Sequence, residues 1–298
     1  MWQILMGAVS LGLLWAIVTI GVYITYRILS IADLTVEGSI VTGAAIAASA
    51  ISRGINSYLG VGLAFLGGLG AGLVTGLLHT KLKIPSLLSG ILTMIALYSI
   101  NLRIMGRANI SLLRMNTVYT IFENLGLNHT NAVIALGLIS VISLIGILYW
   151  FFGTEIGCAI RATGNNPQMA RAQGINTNTT IILGLMISNG LVAIGGALIA
   201  QSQNFADIQM GIGSIVIGLA SVIIGEVLFG ERNFFSRLVS LALGAIIYRI
   251  IIALVLKMGM PANDLKLFTA ITVAIALSLP VFRSYFTTIK KSIKKGGD

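Results

Sequence analysis

The stretch AQGINTNTTIILGLMISNGLVAIGGALIAQSQNFA, residues 172–206, holds no Asp, Glu, Lys or Arg. A bilayer core is crossed by roughly 20 apolar helical residues, so this run alone is long enough to span. Four more charge-free intervals, Gly54–Thr80, Ile84–Leu102, Asn124–Thr154 and Ile208–Gly225, come near or above that length. Over all 298 residues, 56% are hydrophobic and only 9% charged, and the mean hydropathy is +0.97. Soluble globular chains carry roughly 25% charged residues, so a water-soluble core is excluded. The fold expected is an all-α polytopic membrane protein.

Nine spans fit the pattern, at roughly 4–26, 38–52, 57–79, 84–101, 131–152, 179–202, 212–229, 238–256 and 266–282. The second and the last are short. Met1–Tyr26 lacks the basic start and small-residue cleavage pattern of a signal peptide and reads as a retained first helix. Placing the basic tail (Arg283, Lys290, Lys291, Lys294, Lys295) in the cytoplasm also puts Arg27, Lys81, Lys83, Arg161, Arg171, Arg232 and Arg237 inside. Arg53, Arg103, Arg107, Arg114, Lys257 and Lys266 are left outside, and this bias predicts the N-terminus out and the C-terminus in. The net charge of +10 therefore belongs to loops that meet anionic lipid, and it does not imply a nucleic acid partner. The single cysteine, Cys158, rules out an internal disulfide and reads as a small loop residue.

Glycine numbers 35 against 4 prolines, too many for loop punctuation. Gly68, Gly72 and Gly76 recur every four residues, which places a small-residue seam on one helix face where a neighbouring backbone can approach. The alternative is glycine scattered by membrane composition.

The chain also resembles itself. IADLTVEGSIVTGAA at 31–45 reads like FADIQMGIGSIVIGLA at 205–220, with one extra residue in the second copy. In the threading above, the copies enter the membrane from opposite sides, the relation of an inverted-topology repeat. Repeat one covers about 1–130 and repeat two about 131–282, followed by a basic tail at 283–298, all within one permease domain. A route for solute is expected at the repeat interface, lined by the small polar groups Ser39, Thr42, Asn189 and Ser214. Ordinary helix–helix hydrogen bonding is the competing reading for each of them.

The longest inside loop, Glu155–Asn176, carries clear helix punctuation. Asn166 suits an N-cap, Pro167 the first helical position and Gly174 a left-handed C-terminal position. A capped helix of about two turns follows, and one so short is marginal alone, which suggests that it holds its shape to dock. The string RATGNNPQMARAQGIN at 161–176 resembles the coupling loop of the ABC importer permeases for branched-chain amino acids, simple sugars and nucleosides. YRILSIADLTVEGS at 26–39 resembles that family's junction between the first two spans, closest to the subgroup linked to tryptophan or tyrosine uptake. The likeness runs over essentially the whole chain, apart from an additional first span usual in the sugar permeases.

That resemblance implies a second permease copy (a homodimer), two cytoplasmic ATPase subunits and an extracytoplasmic solute-binding protein, in a bacterial cytoplasmic (inner) membrane. It makes Arg161, Asn166, Pro167, Ala170, Arg171 and Gly174 candidates for the ATPase contact. No phosphate-binding loop, zinc-protease pattern or nucleophile elbow is present in the sequence. ATP is expected to be bound by partner subunits, with no cofactor and no catalytic residue here. No metal site is expected either, since His79 and His129 fall at opposite span ends.

Glu226 and Arg249 are the ionisable groups expected at membrane depth, where each needs a partner or water, and a pairing across the seventh and eighth spans would serve both. Bracing an inner gate, coupling to ATPase movement and handling solute or protons all remain open for them. Arg103, Arg107 and Arg114 oppose the charge bias in the outside segment 102–130. They suit either carboxylates on a docking protein or lipid phosphate. The function expected is import of a small solute, most simply an aromatic or branched-chain amino acid. The alternatives are a nucleoside or sugar in the same role, an ion-coupled secondary transporter, which inverted repeats support equally, and an intramembrane enzyme, for which no acid, base or nucleophile group assembles.

Overall fold

The computed structural model describes residues 2–230 and 233–257, together with isolated positions beyond them. Helix α1 (Trp2–Tyr23) runs on through a π-helical turn at Ile24–Ile28. It is followed by α2 (Thr35–Ser52), α3 (Ser57–Thr80), α4 (Ser86–Met105), strand β1 (Asn109–Ser111) and the short α5 (Thr120–Asn124). Then come α6 (His129–Gly153), α7 (Glu155–Asn165), α8 (Pro167–Ala172), α9 (Thr177–Gln203), strand β2 (Phe205–Asp207), α10 (Ser214–Phe229) and α11 (Phe234–Lys257). Among the described residues, seven helices are long and apolar enough to cross a membrane, and α10 is a shorter apolar helix of 16 residues. The expected span at 266–282 lies outside the described residues.

Local chemistry sets the helix ends. Asn56 caps α3 by accepting from Tyr58 N, and Asn176 caps α9 by accepting from Asn178 N and Thr179 N. Helix α4 stops at Gly106 with φ +68 and α9 at Asn204 with φ +59, left-handed positions that end a helical ladder. His79 Nδ1–H donates to Ile84 O across the α3–α4 turn. His129 Nε2–H donates to Ser202 O while Nδ1 lies 2.6 Å from Glu123, tying α5, α6 and α9 together.

Helix α9 stands at the centre, packed against α1, α2 and α3. The glycine seam of α3 faces it: a Cβ on Gly68 would sit 2.8 Å from Gly190 Cα and one on Gly72 2.7 Å from Met186 Cα. Helices α3 and α6 turn bulky groups such as Leu66 and Ile142 outward, surface that suits lipid tails. Antiparallel pairing of β1 with β2, Ile110 opposite Ala206, joins the segment after α4 to the segment after α9. These two segments therefore share one end of the bundle, here the sheet end. Gly164 of α7 lies against Ile28 O, so the end of α1 and the α7–α8 segment share the other, the α8 end.

Two non-helical stretches enter the bundle. Leu29–Leu34 reaches in far enough for Asp33 to bond Asn189, about 18 Å along α9 from its first residue. Ile208–Gly213 brings Gly213 N within 2.9 Å of Glu37 Oε1, in the first turn of α2. The first stretch contains the Ala-Asp pair of its self-similar segment and the second follows its own, and each Asp takes the backbone N–H two residues on, Asp33 from Thr35 and Asp207 from Gln209. The copies thus share local geometry as well as sequence. Irregular backbone at such depth persists only where protein buries it or it borders a cavity.

Candidate functional site

At the α8 end, Asn166 turns the chain out of α7 with an extended backbone and accepts from Gln168 N (3.1 Å) and Met169 N (3.0 Å). Pro167 takes the first helical position, and Gly174, at φ +82, donates its N–H to Arg171 O (2.9 Å). Arg171 is exposed, yet its Nε donates to Thr177 Oγ1 (2.8 Å), joining α8 to the first turn of α9. Ala170, also expected at the contact, is fully buried and forms the footing of α8. Arg161 is exposed and lies 5.2 Å from the Phe234 ring centroid, a cation–π contact.

Helix α8 stands between two open cavities. One, of about 660 Å³, is bordered by His79, Lys83, Arg171 and Asn176, the other, of about 670 Å³, by Arg27, Arg161, Met169 and Arg237. Both are lined by cations, and Met169 on α8 is exposed beside the second. The result is a short capped ridge flanked by basic hollows, a shape that fits an acidic partner surface with a groove.

The four expected pathway residues are sealed inside the bundle, none more than 3% exposed. Ser39 Oγ donates to Asn189 Oδ1 (2.6 Å), Asn189 Nδ2 donates to Asp33 Oδ2 (2.8 Å), and Thr42 Oγ1 donates to Gly38 O (2.9 Å). Ser214 Oγ is buried with no hydrogen-bond partner among the described residues. Close packing of α2 on α9 leaves protein groups, in place of water, to satisfy Ser39, Thr42 and Asn189.

Ser39, Asn189, Asp33 and Thr35 make one connected polar network. Hydrogen bonds to a charged group are worth about 1.5–3 kcal/mol, so Asn189→Leu should cost about 2 kcal/mol by taking one donor from the carboxylate. Asp33→Leu combined with Asn189→Leu should recover a large part of that loss. Thermal unfolding of the purified wild type, singles and double measures the coupling.

Glu226 and Arg249 do not pair. Gly225 packs between Ser240 and Gly244 of α11, and Arg249 lies at least five residues beyond that level, roughly 7 Å or more along the helix axis. Glu226 instead meets Arg27 (3.3 Å), and the Arg249 guanidinium lies 4.4 Å from the Trp15 ring centroid. Asp33 and Glu37 are two carboxylates within the bundle that sequence reasoning missed. The repeated Ala-Asp element was the available signal for the first of them.

A further cavity of about 340 Å³ lies between α2, α4 and the turn after β2, bordered by Glu37, Met94, Tyr98, Asn101, Gln209 and Ile212 among others. It opens on the outer surface, where Ile95, Tyr98 and Ile212 are each more than half exposed. At the sheet end, Arg103 sits in the last turn of α4, and Arg107 and Arg114 flank β1. All three are exposed, with Leu113 beside Arg114 exposed as well.

Comparison with known proteins agrees with this architecture. Residues 4–277 match the family model described as branched-chain amino acid transport system / permease component. A tyrosine transport system permease protein of Clostridioides difficile is 42% identical over 269 residues, covering 90% of this chain and 88% of that one. A branched-chain amino acid transport permease protein of Methanocaldococcus jannaschii is 24% identical over 80% of this chain and 76% of its own length. Among solved structures, an inward-facing metal-chelate type ABC transporter aligns with a TM-score of 0.51 at 14% identity, over 94% of this chain and 85% of that one, a likeness of fold. The chain is a multi-pass membrane protein that belongs to the branched-chain amino acid transport system permease family.

Proposed function

We propose that this protein is the membrane-spanning subunit of an ATP-driven importer of an aromatic amino acid, tyrosine first, in a bacterial cytoplasmic membrane. The observation that carries this reading is α8, a capped ridge between two basic hollows at one end of a bundle whose sequence holds no phosphate loop of its own. A separate ATPase takes hold there, with Arg161, Asn166, Pro167, Arg171 and Gly174 shaping the contact and Ala170 supporting it from beneath. The α8 end is cytoplasmic in this reading, which puts the N-terminus outside. The 42% identical relative named for tyrosine supports the choice of solute.

The sheet end then faces outward. Arg103, Arg107 and Arg114 offer guanidinium forks to carboxylates on a solute-binding protein. A second copy packs beside α4 and the turn after β2, so that the polar opening at Glu37 faces a watery space between the copies in place of lipid, where it would be costly. The pairing is a homodimer over two ATPase subunits. The self-similar segments form an inverted repeat whose helices α2 and α10 begin beside one another inside the membrane. The sealed Ser39–Asn189 contact closes the route in this conformation, and its opening admits solute.

Co-expression with the ATPase and binding protein encoded beside it, followed by reconstitution in vesicles, tests the reading. Tyrosine accumulation that needs both ATP and binding protein is expected. Accumulation driven by an ion gradient without ATP would replace it with secondary transport.

A further inference from the structure

We propose that the cavity at Glu37 is a recognition subsite for a primary ammonium group, in which the Glu37 carboxylate and the Asn101 side-chain oxygen accept N–H bonds from the passing solute. The proposal rests on the reading of this protein as an amino acid importer and adds to it a site within the permease itself. Asn101 Nδ2 donates to Gly38 O (3.3 Å), which fixes the amide. Its Oδ1 has no hydrogen-bond partner among the described residues, on a side chain that is 0% exposed and borders the cavity. Glu37 accepts at Oε1 from Gly213 N (2.9 Å), and among the described residues nothing donates to its second oxygen.

Two acceptor side chains thus border one cavity, and a buried acceptor left unmade is costly. An ammonium supplies donors and charge together. The cavity volume, about 340 Å³, is at the small end of ligand pockets. Met94, Ile95, Ile212 and the Tyr98 ring supply an apolar wall for a hydrocarbon or aromatic side group. A free carboxylate is disfavoured beside Glu37, so the subsite distinguishes amines from acids of the same shape.

The test uses the assembled permease–ATPase complex with Cys158→Ala, which removes the one native thiol, and Ser99→Cys as a reporter on the exposed rim of the cavity. Labelling by a water-soluble thiol reagent is followed with tyrosine, with tyramine, and with 3-(4-hydroxyphenyl)propionate, which lacks the amine. Tyrosine and tyramine should slow labelling and the deaminated acid should not. In Glu37→Gln, which keeps the acceptor for Gly213, the half-protecting concentration should rise about tenfold, the worth of one charge-assisted hydrogen bond. Asn101→Ala should weaken protection in the same direction.

Equal protection by all three compounds, unchanged protection in Glu37→Gln, or a Ser99→Cys thiol that never reacts would overturn the subsite. Because no binding protein or nucleotide is present, the result is separate from the transport assay. ATP-driven uptake with no protection sinks the subsite alone, and protection without ATP-driven uptake sinks the importer reading alone.

Discussion

Gly43→Val is expected to leave little folded protein in the membrane fraction. A Cβ at residue 43 would overlap Ala193 O and come within 2.7 Å of Ala193 Cα. The obstacle is helix backbone, which cannot swing aside as a side chain can. Overpacking a tight core costs about 1–3 kcal/mol, occasionally more, and here α2 would have to leave α9 bodily, breaking the Ser39–Asn189–Asp33 network with it. Gly72→Val, which meets Leu185 and Met186 backbone, should behave alike. Gly62→Ala and Gly70→Ala on α3 meet nothing within 4 Å and should be neutral or raise the melting temperature, since alanine is favoured over glycine in a helix by about 1 kcal/mol. Size-exclusion profiles and melting temperatures of detergent-extracted protein decide. A wild-type profile for Gly43→Val would mean that α2 and α9 do not pack this closely.

That contrast shows what the sequence made legible. Gly68, Gly72 and Gly76 could be read as a seam because spacing by four is a property of the chain alone. Gly43 and Gly196 form a second close contact, in which a Cβ on Gly196 would sit 2.9 Å from Ile40 Cα. Nothing in local spacing distinguishes them from isolated glycines. Charge-free length located the helices, and Asn166, Pro167 and Gly174 announced α8 because capping is encoded within one turn.

Depth was the quantity that local pattern could not supply. Asp33 and Glu37 follow Arg27 and resemble an ordinary charged loop at a membrane edge, yet the chain carries them inward to Asn189 and Gly213. Hydropathy windows register composition and are blind to a loop that folds back into the bundle. Glu226 and Arg249 looked like partners because their helices are consecutive, while the contact that forms joins Glu226 to Arg27 in α1, far away in sequence. Strands of three residues such as β1 and β2 are too short for alternation to reveal.

Uncoupling ATP hydrolysis from transport is the expected effect of altering α8. Arg171→Glu reverses the charge on the basic hollow shared with Lys83 and removes the donor to Thr177. Gly174→Val places a β-branched residue at φ +82, at a cost of about 1–2 kcal/mol, and misdirects the chain between α8 and α9. Neither residue belongs to a membrane-crossing helix, so melting temperature should change little while tyrosine uptake falls at least about tenfold, as when a buried or charge-assisted contact worth 1.4 kcal/mol is lost. Thr177→Val separates the two roles of Arg171, since it deletes the acceptor and keeps the cation. If Thr177→Val transports normally and Arg171→Glu does not, the charge acts on a partner. If both fail alike, the Arg171–Thr177 joint itself transmits the movement. Normal uptake by Arg171→Glu and Gly174→Val, with ATPase subunits still bound and stimulated, would show that α8 is not the coupling element.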